Sequence, residues 1–219
     1  LAEALEVVDP DALHAARNAL RRHLAEQRKA ELNAPCSALA PHGAYQPNAA
    51  DAGRRALRNV CLGYLLELDT PAVRQLALRQ YRSADNMTDQ FGALAALAQT
   101  DCPEREEALA DFHRRWQHEA LVVDKWLAVQ SGSRLPGTLE TVKRLTAHPA
   151  FDIGNPNKIY ALLRNVGANL VRFNTAAGYA FLAGQITKID ARNPQVAARL
   201  ARCFDRWQRF DSARQAHAR

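Results

Sequence analysis

The sequence predicts an all-α fold, a superhelix of stacked antiparallel helical hairpins built from about ten to eleven short helices. Three observations predict it. Alanine, leucine and arginine are abundant, while glycine (10 of 219 residues) and aromatics (7%) are sparse, a composition that favours helix. A capping-type residue followed by proline recurs at Asp9-Pro10, Thr70-Pro71, Asn155-Pro156 and Asn193-Pro194. In each pair the side-chain oxygen can accept from a free first-turn N–H, and proline takes a position whose N–H would be unpaired anyway. The connections between periodic segments run mostly to roughly two to seven residues, as antiparallel neighbours require.

The elements follow in order. Asp9-Pro10 opens a helix over 10–30, and an irregular stretch from Asn33 to Pro47, carrying Pro35, Pro41, Gly43 and Pro47, reads as a loop. That loop lies within a single domain spanning residues 1–219. Helices are predicted at 49–67, 71–82 and 86–99, the last capped by Asn86 or Thr88 with Asp89 at its positive end. Further helices are placed at 103–117, 120–130, 138–147, 156–169 and 175–190. The Asn193-Pro194 pair opens a helix over 194–208 with Val196, Leu200, Cys203, Phe204 and Trp207 at helical spacing, and 211–218 closes the chain. No strand pattern interrupts this order, because Leu121-Val122-Val123 sits between helix-forming residues. No sequence signature recurs at a fixed period, so the repeats are structural and degenerate, in the manner of armadillo- or HEAT-like stacks.

With 47% hydrophobic and 24% charged residues the chain reads as an ordinary globular protein. Its net charge of +6 and pI near 9.4 permit an acidic partner without requiring one. A helical-repeat reader of nucleic acid would show cationic stripes with regular base-contacting positions, so no nucleic-acid partner is expected. A free-standing helical-repeat binding module, for protein or nucleic acid, is the alternative account. No run of about 18 apolar residues is present, so no membrane span is expected. The opening Leu1-Ala2-Glu3-Ala4-Leu5-Glu6 lacks a signal-peptide pattern, and the absence of an initiator Met fits a fragment of something larger. Cys36, Cys61, Cys102 and Cys203 are far apart and never in a Cys-x-x-Cys arrangement, which points to buried thiols in a reducing, cytoplasmic location.

The segment Arg115 to Trp126 contains His118-Glu119, the start of a His-Glu-x-x-His zinc motif whose second histidine is replaced by Val122. His113 and His118, five residues apart, project about 140° from one another on a helix and do not converge on a metal. They are expected to be exposed. Trp116 and Trp126 are expected to be core anchors of consecutive helices, and Asp124 and Lys125 surface or interface charges. Arg199, Arg202, Arg206 and Arg209, spaced by 3, 4 and 3, would share one flank of the 194–208 helix. That flank is either a solvated face or a cationic wall.

Six pieces of this chain resemble one family in order and spacing. They are Val8-Asp9-Pro10-Asp11-Ala12-Leu13-His14-Ala15-Ala16-Arg17, Arg54 through Leu65, Asn86-Met87-Thr88-Asp89, Leu121-Val122-Val123-Asp124-Lys125-Trp126, Asn155-Pro156-Asn157-Lys158 and Asn193 through Leu200. Together they resemble the C-terminal domain of bacterial aminopeptidase N, an alanyl aminopeptidase of the gluzincin class. The resemblance implies an upstream thermolysin-like catalytic domain that carries the zinc motif and a Gly-x-Met-Glu-Asn exopeptidase motif. Neither motif occurs in this sequence. It further implies that this segment is noncatalytic, holds no metal, caps the catalytic domain and encloses a chamber for small peptides. Zinc belongs to the full-length enzyme, which removes N-terminal residues. Within that frame Arg199 is the candidate chamber-lining residue, positioned to hold the carboxylate end of an entering peptide.

Overall fold

The computed structural model describes residues 2–40, 43 and 45–219. Helices follow one another as α1 (Pro10–Gln27), α2 (Lys29–Ala38), α3 (Ala49–Leu65), α4 (Pro71–Ser83), α5 (Met87–Leu97), α6 (Pro103–Trp116) and α7 (Ala120–Ser131). Then come α8 (Thr138–Leu145), α9 (Pro156–Ile159), a π turn (Tyr160–Arg164), α10 (Asn165–Gly167), α11 (Leu170–Phe173), α12 (Ala176–Asp190), α13 (Pro194–Ala201) and α14 (Ser212–Ala218). Short 3-10 turns lie at Leu66–Leu68, Arg202–Phe204 and Trp207–Arg209. Among the described residues no strand forms beyond a single bridge between Val8 and Phe210. The all-α stacked-hairpin class predicted from sequence is the class observed.

The capping logic holds at three of the four cap–proline pairs. Asp9 accepts from the Asp11 and Ala12 N–H groups at 2.9 and 3.1 Å, Asn155 from Asn157 at 2.9 Å and Asn193 from Val196 at 3.1 Å. Thr70 makes no such side-chain bond, although Pro71 still occupies the first turn. Asn86, rather than Thr88, caps α5 by accepting from the Asp89 N–H at 2.9 Å.

The chain divides into two compact units, residues 16–112 and residues 1–15 with 113–219. In the first, α2 packs on α3, and α4 pairs with α5 around Leu62, Leu65, Leu78, Tyr81, Leu94 and Phe112, all fully buried or nearly so. Helix α2 corrects the predicted loop from Asn33 to Pro47. The chain is helical through Pro35 because α2 buries Cys36 along α3, where Arg58 Nε donates to the Cys36 carbonyl at 3.3 Å. Tertiary packing thus outweighs the lost proline N–H. Pro41 of the predicted loop lies outside the described residues. Asp89, in the first turn of α5, is fully buried, held by Asn86 Nδ2 at 3.2 Å, Asn59 Nδ2 at 3.3 Å and Arg58 at 3.7 Å.

In the second unit, α7 and α8 pack with the segment 156–167, and α12 packs with α13. Trp126 is 7% exposed and is a core anchor as expected, whereas Trp116 is only half-buried. The His113 ring centroid lies 4.4 Å from Trp126 and 5.1 Å from His148, which corrects the expectation that it is exposed. His118 is exposed. Asp124 is likewise drawn inward, its Oδ1 lying 2.8 Å from Nζ of the buried Lys158, which also donates to the Ala120 carbonyl at 3.0 Å.

Burial, and secondarily His148, hold the His113 imidazole below its ordinary value. The unfolded chain therefore binds this proton more readily, so stability is lost as pH falls below the ordinary imidazole value of about 6.5. The urea midpoint is expected to fall on acidification from about pH 7.5 to about pH 5.5, and less so in His113→Gln. Equal acid sensitivity of variant and wild type would contradict this assignment.

Candidate functional site

The helix expected over 156–169 is not uniform: it contains a widened turn at Tyr160–Arg164 and ends at Gly167. Directly after that turn, Asn165 Nδ2 donates to the Ala128 carbonyl at 2.6 Å and to Ser131 Oγ at 2.9 Å. Asn169 Nδ2 donates to the Ser133 carbonyl at 2.8 Å. Two asparagine amides therefore add donors to acceptors at and just beyond the C-terminal end of α7, where the Ala128 carbonyl also accepts from the Gly132 N–H at 2.9 Å and the Ser133 carbonyl from Thr138 Oγ1 at 3.0 Å. The π turn carries Tyr160 and Arg164, and such turns occur frequently at functional sites.

Helix α13 stops at Ala201, seven residues short of the expected end, and the chain continues as a 3-10 turn over Arg202–Phe204. Tertiary packing accounts for the break. Phe204 reaches Phe173 and Tyr179 at ring-centroid distances of 5.1 and 5.6 Å. Cys203 packs so closely on Gly167 that a Cβ there would stand 2.5 Å from its Sγ. The four arginines are therefore not one helix stripe. Arg209 turns away to Glu3 Oε2 at 2.8 Å and the Leu5 carbonyl at 3.0 Å.

The other three arginines converge. Arg199, in the last turn of α13, Arg202 and Arg206 line a cavity of about 800 Å³ together with Tyr160, Arg164, Cys203 and Asp205. Asp205 accepts from Arg202 Nε at 3.2 Å, and Arg206 pairs with Glu3. Arg164 and Arg199 have no acidic partner among the described residues. Burial raises the Cys203 thiol above its ordinary value, and nearby Arg164 opposes this without reversing it. Cys203 is thus a neutral wall group at physiological pH rather than an activated nucleophile. The cavity suits recognition of an anion and contains no assembled nucleophile and base.

Arg164, Tyr160 and Asp205 were not identified from sequence. Arg164 and Tyr160 lie far from α13 in the chain, and no spacing rule connects them to Arg199. Among the described residues no group of three or more His, Cys, Asp or Glu could hold a metal ion. No described helix is long and apolar enough to cross a membrane.

The family profile described as "Domain of unknown function (DUF3458_C) ARM repeats" matches residues 1–219. The chain belongs to this family. Aminopeptidase N of Caulobacter vibrioides is 43% identical over 215 residues, covering 96% of this chain and 25% of that protein. Aminopeptidase N of Escherichia coli is 36% identical over 222 residues, covering 100% of this chain and 25% of that protein. The crystal structure of Legionella pneumophila aminopeptidase A in complex with aspartic acid matches with a TM-score of 0.89 and 31% identity. That match covers 99% of this chain and 27% of the Legionella chain. The resemblance to the C-terminal domain of aminopeptidase N thus extends over the whole DUF3458_C chain, which spans about a quarter of the length of these relatives.

Proposed function

We propose that this chain is the noncatalytic helical domain of a zinc-dependent aminopeptidase that removes N-terminal residues from peptides. It caps an upstream catalytic domain of the same polypeptide and encloses the chamber through which small peptides reach the metal. The supporting observation is similarity to aminopeptidase N along the entire chain, together with coverage of only a quarter of each relative. The zinc is held by the catalytic domain, and this segment contributes no ligand to it. Arg199 lines the chamber, where its guanidinium meets the carboxylate of an entering peptide. The four free cysteines accord with a cytoplasmic location.

An enclosed chamber makes a size prediction. The full-length enzyme is expected to remove alanine readily from a tetrapeptide and negligibly from the N-terminus of a folded protein. Comparable rates on both, measured by mass spectrometry of the products, would refute the enclosure.

A further inference from the structure

We propose that Arg164 and Arg199 form a two-guanidinium site for paired carboxylates, so that peptides ending in aspartate or glutamate are preferred substrates. This rests on the aminopeptidase reading above and extends it to the far end of the substrate.

The charge balance of the cavity carries the inference. Four guanidinium groups, Arg164, Arg199, Arg202 and Arg206, stand on its walls with one carboxylate, Asp205. Asp205 is taken by Arg202, and Arg206 is taken by Glu3 from outside the lining set. Two permanent positive charges remain uncompensated, because arginine does not deprotonate at any physiological pH. A peptide ending in an acidic residue brings two carboxylates a few atoms apart, one on the main chain and one on the side chain. A peptide with a neutral end brings one, and an amidated peptide none. Each guanidinium can grip one carboxylate through two parallel N–H bonds.

The Tyr160 side chain contributes to the cavity wall, while its hydroxyl is buried out of reach of solvent. The volume of about 800 Å³ accommodates a C-terminal dipeptide unit. Both arginines are exposed at the cavity, so the discrimination they give is moderate and weakens with salt.

The test uses the full-length enzyme at low ionic strength with Ala-Ala-Glu, Ala-Ala-Ala and Ala-Ala-Ala amide. KM is expected to fall about threefold to tenfold at each step from amide to alanine end to glutamate end. Arg164→Ala is expected to remove the advantage of the glutamate end, and Arg164→Lys to restore part of it. Arg192→Ala, outside the cavity lining, should preserve it. Equal KM values for the glutamate and alanine ends, with turnover intact, would overturn the paired-carboxylate site and leave the aminopeptidase reading standing. No turnover of any peptide would overturn the aminopeptidase reading instead. In either case, calorimetry with glutarate on the same polypeptide gives an independent readout. Saturable binding weakened by Arg164→Ala is expected. Absent binding, or tighter binding of inorganic phosphate than of glutarate, would overturn the site.

Discussion

Trp126→Ala is expected to lower stability by about 3–5 kcal/mol, the usual cost of removing a large core aromatic. The indole is 7% exposed and packs against two imidazoles, with ring-centroid distances of 4.4 Å to His113 and 5.2 Å to His148. Truncation removes the apolar surface that α7 contributes to this cluster and leaves a void that the two imidazoles fill only in part. It also readmits water to His113, so the variant should be less acid-sensitive than the wild type as well as less stable. Urea unfolding at neutral pH measures the first effect, and an unchanged midpoint would refute a core role for Trp126.

Gly178→Ala is expected to be comparably damaging, at about 3 kcal/mol. Glycine to alanine in a helix ordinarily stabilises by up to about 1 kcal/mol. At position 178 the sign reverses, because a Cβ would stand 2.2 Å from the Phe173 carbonyl oxygen and 3.1 Å from that of Arg172. These are backbone atoms, and they cannot swing aside as a flexible side chain would. The close approach arises where α11 turns into α12, with Thr175 Oγ1 accepting from the Gly178 N–H at 3.0 Å. Gly184 in the same helix provides the contrast, since nothing lies within 4 Å of a Cβ built there. Gly184→Ala should therefore be neutral or stabilising. If both substitutions behaved alike, the steric account would fail.

What was legible in the sequence was chiefly local chemistry. Asp9, Asn155 and Asn193 marked true helix starts because a side-chain cap and a proline need only their own turn. The helices missing from the sequence reading are those that long-range contacts impose. Pro35 argues locally for a loop, yet α2 persists because Cys36 is buried against α3. The continuous helix read over 194–208 had sound apolar spacing, but Phe204 finds Phe173 and Tyr179 only if the helix breaks at Ala201. The same break moves Arg209 out of the arginine set. Arg199 was identified through its place in a segment resembling a known family, whereas Arg164 was not. Its function depends on a π turn that brings it beside α13, and nothing in the intervening residues announces that approach.

The sharpest test of the central claim, that this chain shapes access to metal chemistry performed elsewhere in the polypeptide, compares two samples. One is the 219-residue chain alone and the other the full-length enzyme, both assayed with alanine 4-nitroanilide before and after chelation and zinc readdition. The account predicts zinc-dependent turnover by the full-length enzyme and none by the chain alone. Zinc-dependent turnover by the 219-residue chain would contradict it.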